Sequence, residues 1–184
     1  MRKKRAFGAG QALSIVPLVL LGCGLLTFDV ESQAETHVDG AGPLGEILDV
    51  LDFTGLDDFD IDVQQAMQDQ GVDDGDLRDV RLTVFTLTAD PGDLSFLDSF
   101  SVYMAADGVE EELIASSDNF PAGAPVVTLD VVDVDLSPYV VSDSSSFRVE
   151  ASGSAPSDDV DITADFTVAI TATAQGACSQ LNAE

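Results

Sequence analysis

The chain of 184 residues has no tryptophan, one histidine, two cysteines and seven lysines and arginines. Each shortage excludes a class of function. Seven basic residues against 34 aspartates and glutamates give a formal net charge of −27. Nucleic-acid phosphates are gripped by clustered Lys and Arg, which this balance cannot supply. Two cysteines and one histidine cannot build a zinc ribbon, a zinc finger or an iron–sulfur centre. No lysine follows Lys4, so Schiff-base chemistry has no amine in the body of the chain. Any Ser–His–Asp or Cys–His site would need His37, yet no serine stands in a Gly-x-Ser-x-Gly elbow. His37 reads instead as an exposed residue at the end of a strand. Sugar subsites usually rest on aromatic platforms, and here the chain offers only Tyr103 and Tyr139 besides phenylalanine. A carboxylate-dependent hydrolase is therefore the least favoured function. Gly8 and Gly10 belong to the leading apolar segment and form no phosphate loop. The sequence points away from an enzyme.

What is present begins with an address. Arg2, Lys3, Lys4 and Arg5 form a positive leader. Ala6 to Leu21 then runs apolar for about 16 residues, short of the ~20 that a spanning helix needs and interrupted by Pro17. The run ends in Leu20-Leu21-Gly22-Cys23, which resembles the lipobox of bacterial lipoproteins. Leu20, Gly22 and Cys23 occupy the branched, small and cysteine positions of that motif; Leu21 is bulkier than the usual residue. The resemblance covers residues 1–23. It implies that the thiol of Cys23 carries diacylglycerol, that residues 1–22 are removed, and that the protein is held on the membrane through its lipid. Two or three acyl chains give stable anchoring where one is marginal. Gly24 follows, where Asp would retain such proteins in the inner membrane, so the resemblance implies the outer membrane.

The remaining chain, residues 23–184, is the size of one domain with a core of its own. Apolar residues make up 45% of the sequence, too many for a disordered acidic tail, so this domain should fold. Its basic residues are Arg78, Arg81 and Arg148, set against all 34 acids. An aspartate-rich surface stays hydrated in salt, where its self-repulsion is screened. Carboxylates are also oxygen ligands for calcium, and three clusters qualify. The first is Asp58, Asp60 and Asp62, which copy positions 1, 3 and 5 of an EF-hand loop. Val63 stands where that loop needs Gly and Asp69 where it needs Glu, so an EF-hand fails. The second is Asp73, Asp74 and Asp76. The third is Asp130, Asp133 and Asp135, the latter two on one face if the backbone is extended. With Cys23 capped by lipid, Cys178 has no partner in the chain and lies in a small, polar, ragged tail from about Gln175.

The dominant period is two. Val160, Ile162, Ala164, Phe166, Val168 and Ile170 alternate with polar or small residues, as in a half-buried antiparallel strand. Similar runs predict seven strands near 25–36, 79–88, 99–106, 109–116, 125–136, 145–154 and 159–173. The run at 79–88 is apolar on both faces and should be central. Asp107-Gly108 marks a hairpin and Pro91-Gly92 ends a strand. Seven such strands predict a mainly β protein: an antiparallel β-sandwich of immunoglobulin-like type, with a jelly roll as the alternative. Residues 43–70 break the pattern. Pro43 with Leu44, Ile47, Leu48 and Leu51 predicts a short amphipathic helix packed over one end of the sandwich. Val63 to Gln70 predicts a second, opened by Asp62 and closed by Gly71.

The expected function is a lipid-anchored, non-enzymatic structural or interaction module of the cell envelope, with an envelope protein as its partner. A calcium-stabilised adhesion domain is the alternative. A first strand starting two or three residues after Cys23 would hold the domain nearly flush with the bilayer, since three residues span at most ~10 Å.

Overall fold

A computed structural model describes residues 25–41, 63–142 and 144–173. The leader with Cys23, the helix expected from Pro43, the cluster of Asp58, Asp60 and Asp62, and the tail with Cys178 lie outside the described residues.

Among the described residues eight strands form two antiparallel four-stranded sheets. They are β1 (Leu25–Val38), β2 (Leu77–Asp90), β3 (Leu97–Ala106), β4 (Val109–Ser117), β5 (Val126–Thr128), β6 (Asp130–Val131), β7 (Ser146–Gly153) and β8 (Val160–Thr173). Helix α1 (Val63–Asp69) precedes β2, and helix α2 (Ser137–Val140) precedes β7. Sheet one has the order β1-β8-β2-β5 and sheet two the order β6-β4-β3-β7.

The antiparallel sandwich is as expected, and its strand order discriminates between the two variants. In the immunoglobulin arrangement the first strand lies beside the second. Here β1 lies beside β8 over its whole length, from Leu25 opposite Thr173 to Val38 opposite Val160. The pairs β3·β4, β2·β5 and β1·β8 are nested, one inside the next. Nested pairing of this kind arises when one long hairpin ribbon wraps around a core, which is the jelly-roll order. The hairpin tip is Asp107-Gly108, where Gly108 takes the positive φ of 78° that the turn needs.

The core lies between the sheets. Val160, Ile162, Ala164, Phe166, Val168, Ile170 and Ala172 of β8 are all buried, so the cleanest alternation in the sequence is one of the two inner strands of sheet one, beside β2. Phe85 and Phe166 stack with ring centroids 6.1 Å apart. The two-sided apolar character of residues 79–88 has a local cause. A register shift between Leu82 and Val84 resets the alternation, so Val80 and Leu82 face the core before it, and Phe85 and Leu87 after it. Val84 is left exposed on the outer face.

The strand expected over 125–136 is a correction. Its residues change sheets. Val126 to Thr128 pair with β2 in sheet one, and Asp130 and Val131 pair with β4 in sheet two. Leu129 between them is buried, its amide donating to the Phe85 carbonyl at 2.9 Å. The chain then returns to sheet one, where the Leu136 amide donates to the Val80 carbonyl at 2.7 Å. One alternating run thus serves two sheets in turn. The helix expected over Val63 to Gln70 is present as α1, with Ala66 and Met67 buried.

Candidate functional site

The sandwich has two poles. Leu25 and Thr173 are register partners, so the chain passes into β1 and out of β8 at the same pole. A fourteen-residue strand spans about 43 Å, which places the far ends of β1 and β8 at the opposite pole.

At that far pole His37, near the end of β1, faces Asp161, near the start of β8. The imidazole Nδ1 lies 2.6 Å from Asp161 Oδ1, and Nε2 lies 3.5 Å from Asp39 Oδ1. Asp159 completes the group: one ligand-type atom from each of His37, Asp39 and Asp159 lies within 4.8 Å of the others. All three residues are exposed. Two main-chain contacts hold the group's loops together. The Gly40 amide donates to Asp159 Oδ1 at 2.9 Å, and the Ala41 amide donates to the Pro156 carbonyl at 2.6 Å. The approach is so close that a Cβ on Gly40 would stand 2.6 Å from the Asp158 carbonyl carbon.

The hydrogen bond that Asp161 accepts from the imidazole raises the His37 pKa above its usual value of 6.5, against the opposing effect of desolvation. The negative charges of Asp161, Asp39 and Asp159 add to the rise. The carboxylates therefore favour the imidazolium form of His37. His37 is the exposed strand-end residue the sequence predicts. Its acidic neighbours Asp39, Asp159 and Asp161 form no motif in the sequence and meet only through the strand pairing. The missing signal was the pairing of first strand with last, which no local pattern carries.

The other carboxylates singled out in the sequence are placed separately. Asp133 pairs with the Arg81 guanidinium, whose Nε also donates to Asp79 at 2.7 Å. Asp135 Oδ1 accepts from the amides of Ser137 at 2.9 Å and Val80 at 3.3 Å, and from the Ser137 hydroxyl at 2.5 Å. Burial pushes the Asp135 pKa up, but these bonds and the charge of Arg81 outweigh it and hold the group below the usual range. Asp130 lies in β6 and is exposed. Asp76 Oδ1 accepts from the Thr173 hydroxyl at 2.8 Å. Asp73 is exposed, and Asp74 opens the short 3-10 turn ending at Asp76. Among the described residues, the set Asp130, Asp133 and Asp135 does not bring three ligand atoms together.

The same economy governs the basic residues. Arg148 on β7 forms a two-pronged pair with Glu111, at 2.8 and 2.6 Å, and also pairs with Glu150. Its guanidinium carbon lies 4.1 Å from the Tyr103 ring centroid. The Arg148 and Arg81 charges are thus consumed locally, and the outer surfaces carry a strongly negative field.

No helix among the described residues is long and apolar enough to cross a membrane. No family model matches the chain, and no curated protein matches it. Among solved structures the chain is similar to the BFDV capsid protein in its decameric crystal structure. The match has 9% identity and a TM-score of 0.34, and covers 80% of this chain and 98% of that one.

Proposed function

We propose that this protein is a lipid-anchored module of the bacterial cell envelope, held on the outer membrane through Cys23, and that its sandwich serves as a structural or interaction domain without catalysis. The observation that carries the anchor is the run Leu20-Leu21-Gly22-Cys23, and the start of β1 at Leu25, two residues beyond Cys23, supports a domain close to the bilayer. A chain that joined the sandwich through a long linker would stand off from the bilayer; this one is tied to it directly. Leu25 and Thr173 then form the pole beside the membrane, and the His37 group stands at the other. The acidic surface supports the same picture, since anionic head groups repel it and favour an upright domain held only at its root.

Metabolic labelling with palmitate tests the anchor. Wild-type protein is expected to take up label and to fractionate with the outer membrane, and Cys23→Ser to lose both. Wild-type protein without label would overturn the proposal.

A further inference from the structure

We infer that the edge of β1 left open among the described residues is a docking strand for a partner protein, and that the partner supplies an extended segment alternating cationic and apolar residues. The inference deepens the interaction-module reading and does not depend on the lipid anchor.

The inference starts from the backbone. β1 has fourteen residues and is the outermost strand of sheet one. All fourteen pair with β8 on one side without a register break. On the other side, alternate amides and carbonyls point outward, a row ready to bond another strand. Sheet edges are ordinarily guarded by shortness, by bulges, by proline or by lysine. The opposite edge of sheet one, β5, has three residues, and the edge strand β6 has two. β1 is long, unbulged, and free of proline and lysine; its one guard is the charge of Asp29, Glu31 and Glu35, which repels an acidic strand and not a basic one.

Its side chains state what would fit. On the solvent face Asp29, Glu31 and Glu35 are exposed, and Asp165 of β8 lies beside Gln33. A second copy of β1 added antiparallel would bring these carboxylates against their own kind, which disfavours self-pairing. A strand bearing Lys or Arg on that face is attracted instead. On the core side of the same stretch stand Ser32, Ala34 and Thr36, small and only half-buried. Small residues there leave room for valine- or isoleucine-sized side chains of the incoming strand. Alternation is required because successive side chains of a strand face opposite ways. Main-chain bonds would supply the affinity, and the two faces the selection.

The probe is a labelled fourteen-residue peptide alternating lysine and valine, matched to the length of β1, added to the full protein in neutral detergent. In such a peptide the lysine amides all point to one edge and the valine amides to the other. Methylating one set should abolish binding, and methylating the other should leave it intact. Hydrogen exchange should slow along β1. Asp29→Asn, Glu31→Gln and Glu35→Gln together should weaken binding about tenfold. Absence of binding, equal binding of both methylated peptides, or protection confined to other strands would overturn the inference. Equal binding would mean that the peptide only adheres to a negative surface. Palmitate labelling of Cys23 is unaffected by any of these results, so failure of the docking strand and failure of the anchor are read separately.

Discussion

His37 and Asp161 are register partners across β1 and β8, and the imidazole Nδ1 stands 2.6 Å from the carboxylate. The pair closes the far pole of sheet one, with Asp39 and Asp159 beside it. It acts as a pH-dependent staple, because only the imidazolium gains fully from three carboxylates. The folded state raises the His37 pKa above 6.5. The gain is therefore complete below 6.5 and is lost as pH rises through the folded value. Thermal unfolding of wild type and His37→Gln should differ most near pH 6 and converge as pH rises through the folded value. A difference that grows with pH would contradict the assignment.

Tyr139 ties α2 to sheet two. Its ring is 3% exposed and its hydroxyl donates to the Glu110 carbonyl at 2.6 Å. Tyr139→Phe keeps the ring and removes the donor from a partly buried carbonyl. Urea unfolding should show a loss of about 1–2 kcal/mol. Burial first, and then the charges of Glu112 and Glu110, raise the phenol pKa, so Tyr139 should ionise late in an alkaline absorbance titration.

Gly40 tests how tightly the far pole is closed. Alanine there would drive its Cβ to 2.6 Å from the Asp158 carbonyl carbon and 2.9 Å from the Asp159 nitrogen. Both contacts are backbone, so the loops must part and the bonds to Asp159 and Pro156 must lengthen. Gly40→Ala should cost about 1–3 kcal/mol in urea unfolding, with exchange accelerated at residues 156–160. An unchanged midpoint would show that the loops separate freely.

Salt should stabilise the protein gradually and without preference for calcium. Two aspartates of the third cluster are already engaged, Asp133 with Arg81 and Asp135 with Ser137 and Val80. The rest of the acidic surface needs only screening. Melting temperatures in calcium and sodium chloride at equal ionic strength should coincide, and Asp130→Asn should change neither curve. A calcium-specific rise at sub-millimolar concentration would restore the calcium alternative.

Most strands and their inward-facing sides are legible in the sequence alone, the run over 125–136 and the reset within β2 excepted. Period-two alternation is a local property, and it placed β1, β3, β4, β7 and β8 to within two or three residues at each end. It also determined the acidity of the surface and the absence of free amines after Lys4, because composition needs no folding to be read. Tertiary structure alone decided which strands lie together. Nothing local distinguishes a strand that pairs with its neighbour from one that pairs 124 residues away, as His37 does with Asp161. It decided that residues 126–131 serve both sheets, because the burial of Leu129 depends on where β2 and β4 stand. It decided that the two-sided apolar run in β2 comes from a bulge, since a reset of alternation shows only against a partner strand. The acidic residues at the far pole follow the same rule: Asp39 and Asp159 are unremarkable in the chain and adjacent only in the fold, where wrapping one ribbon brings its two ends side by side.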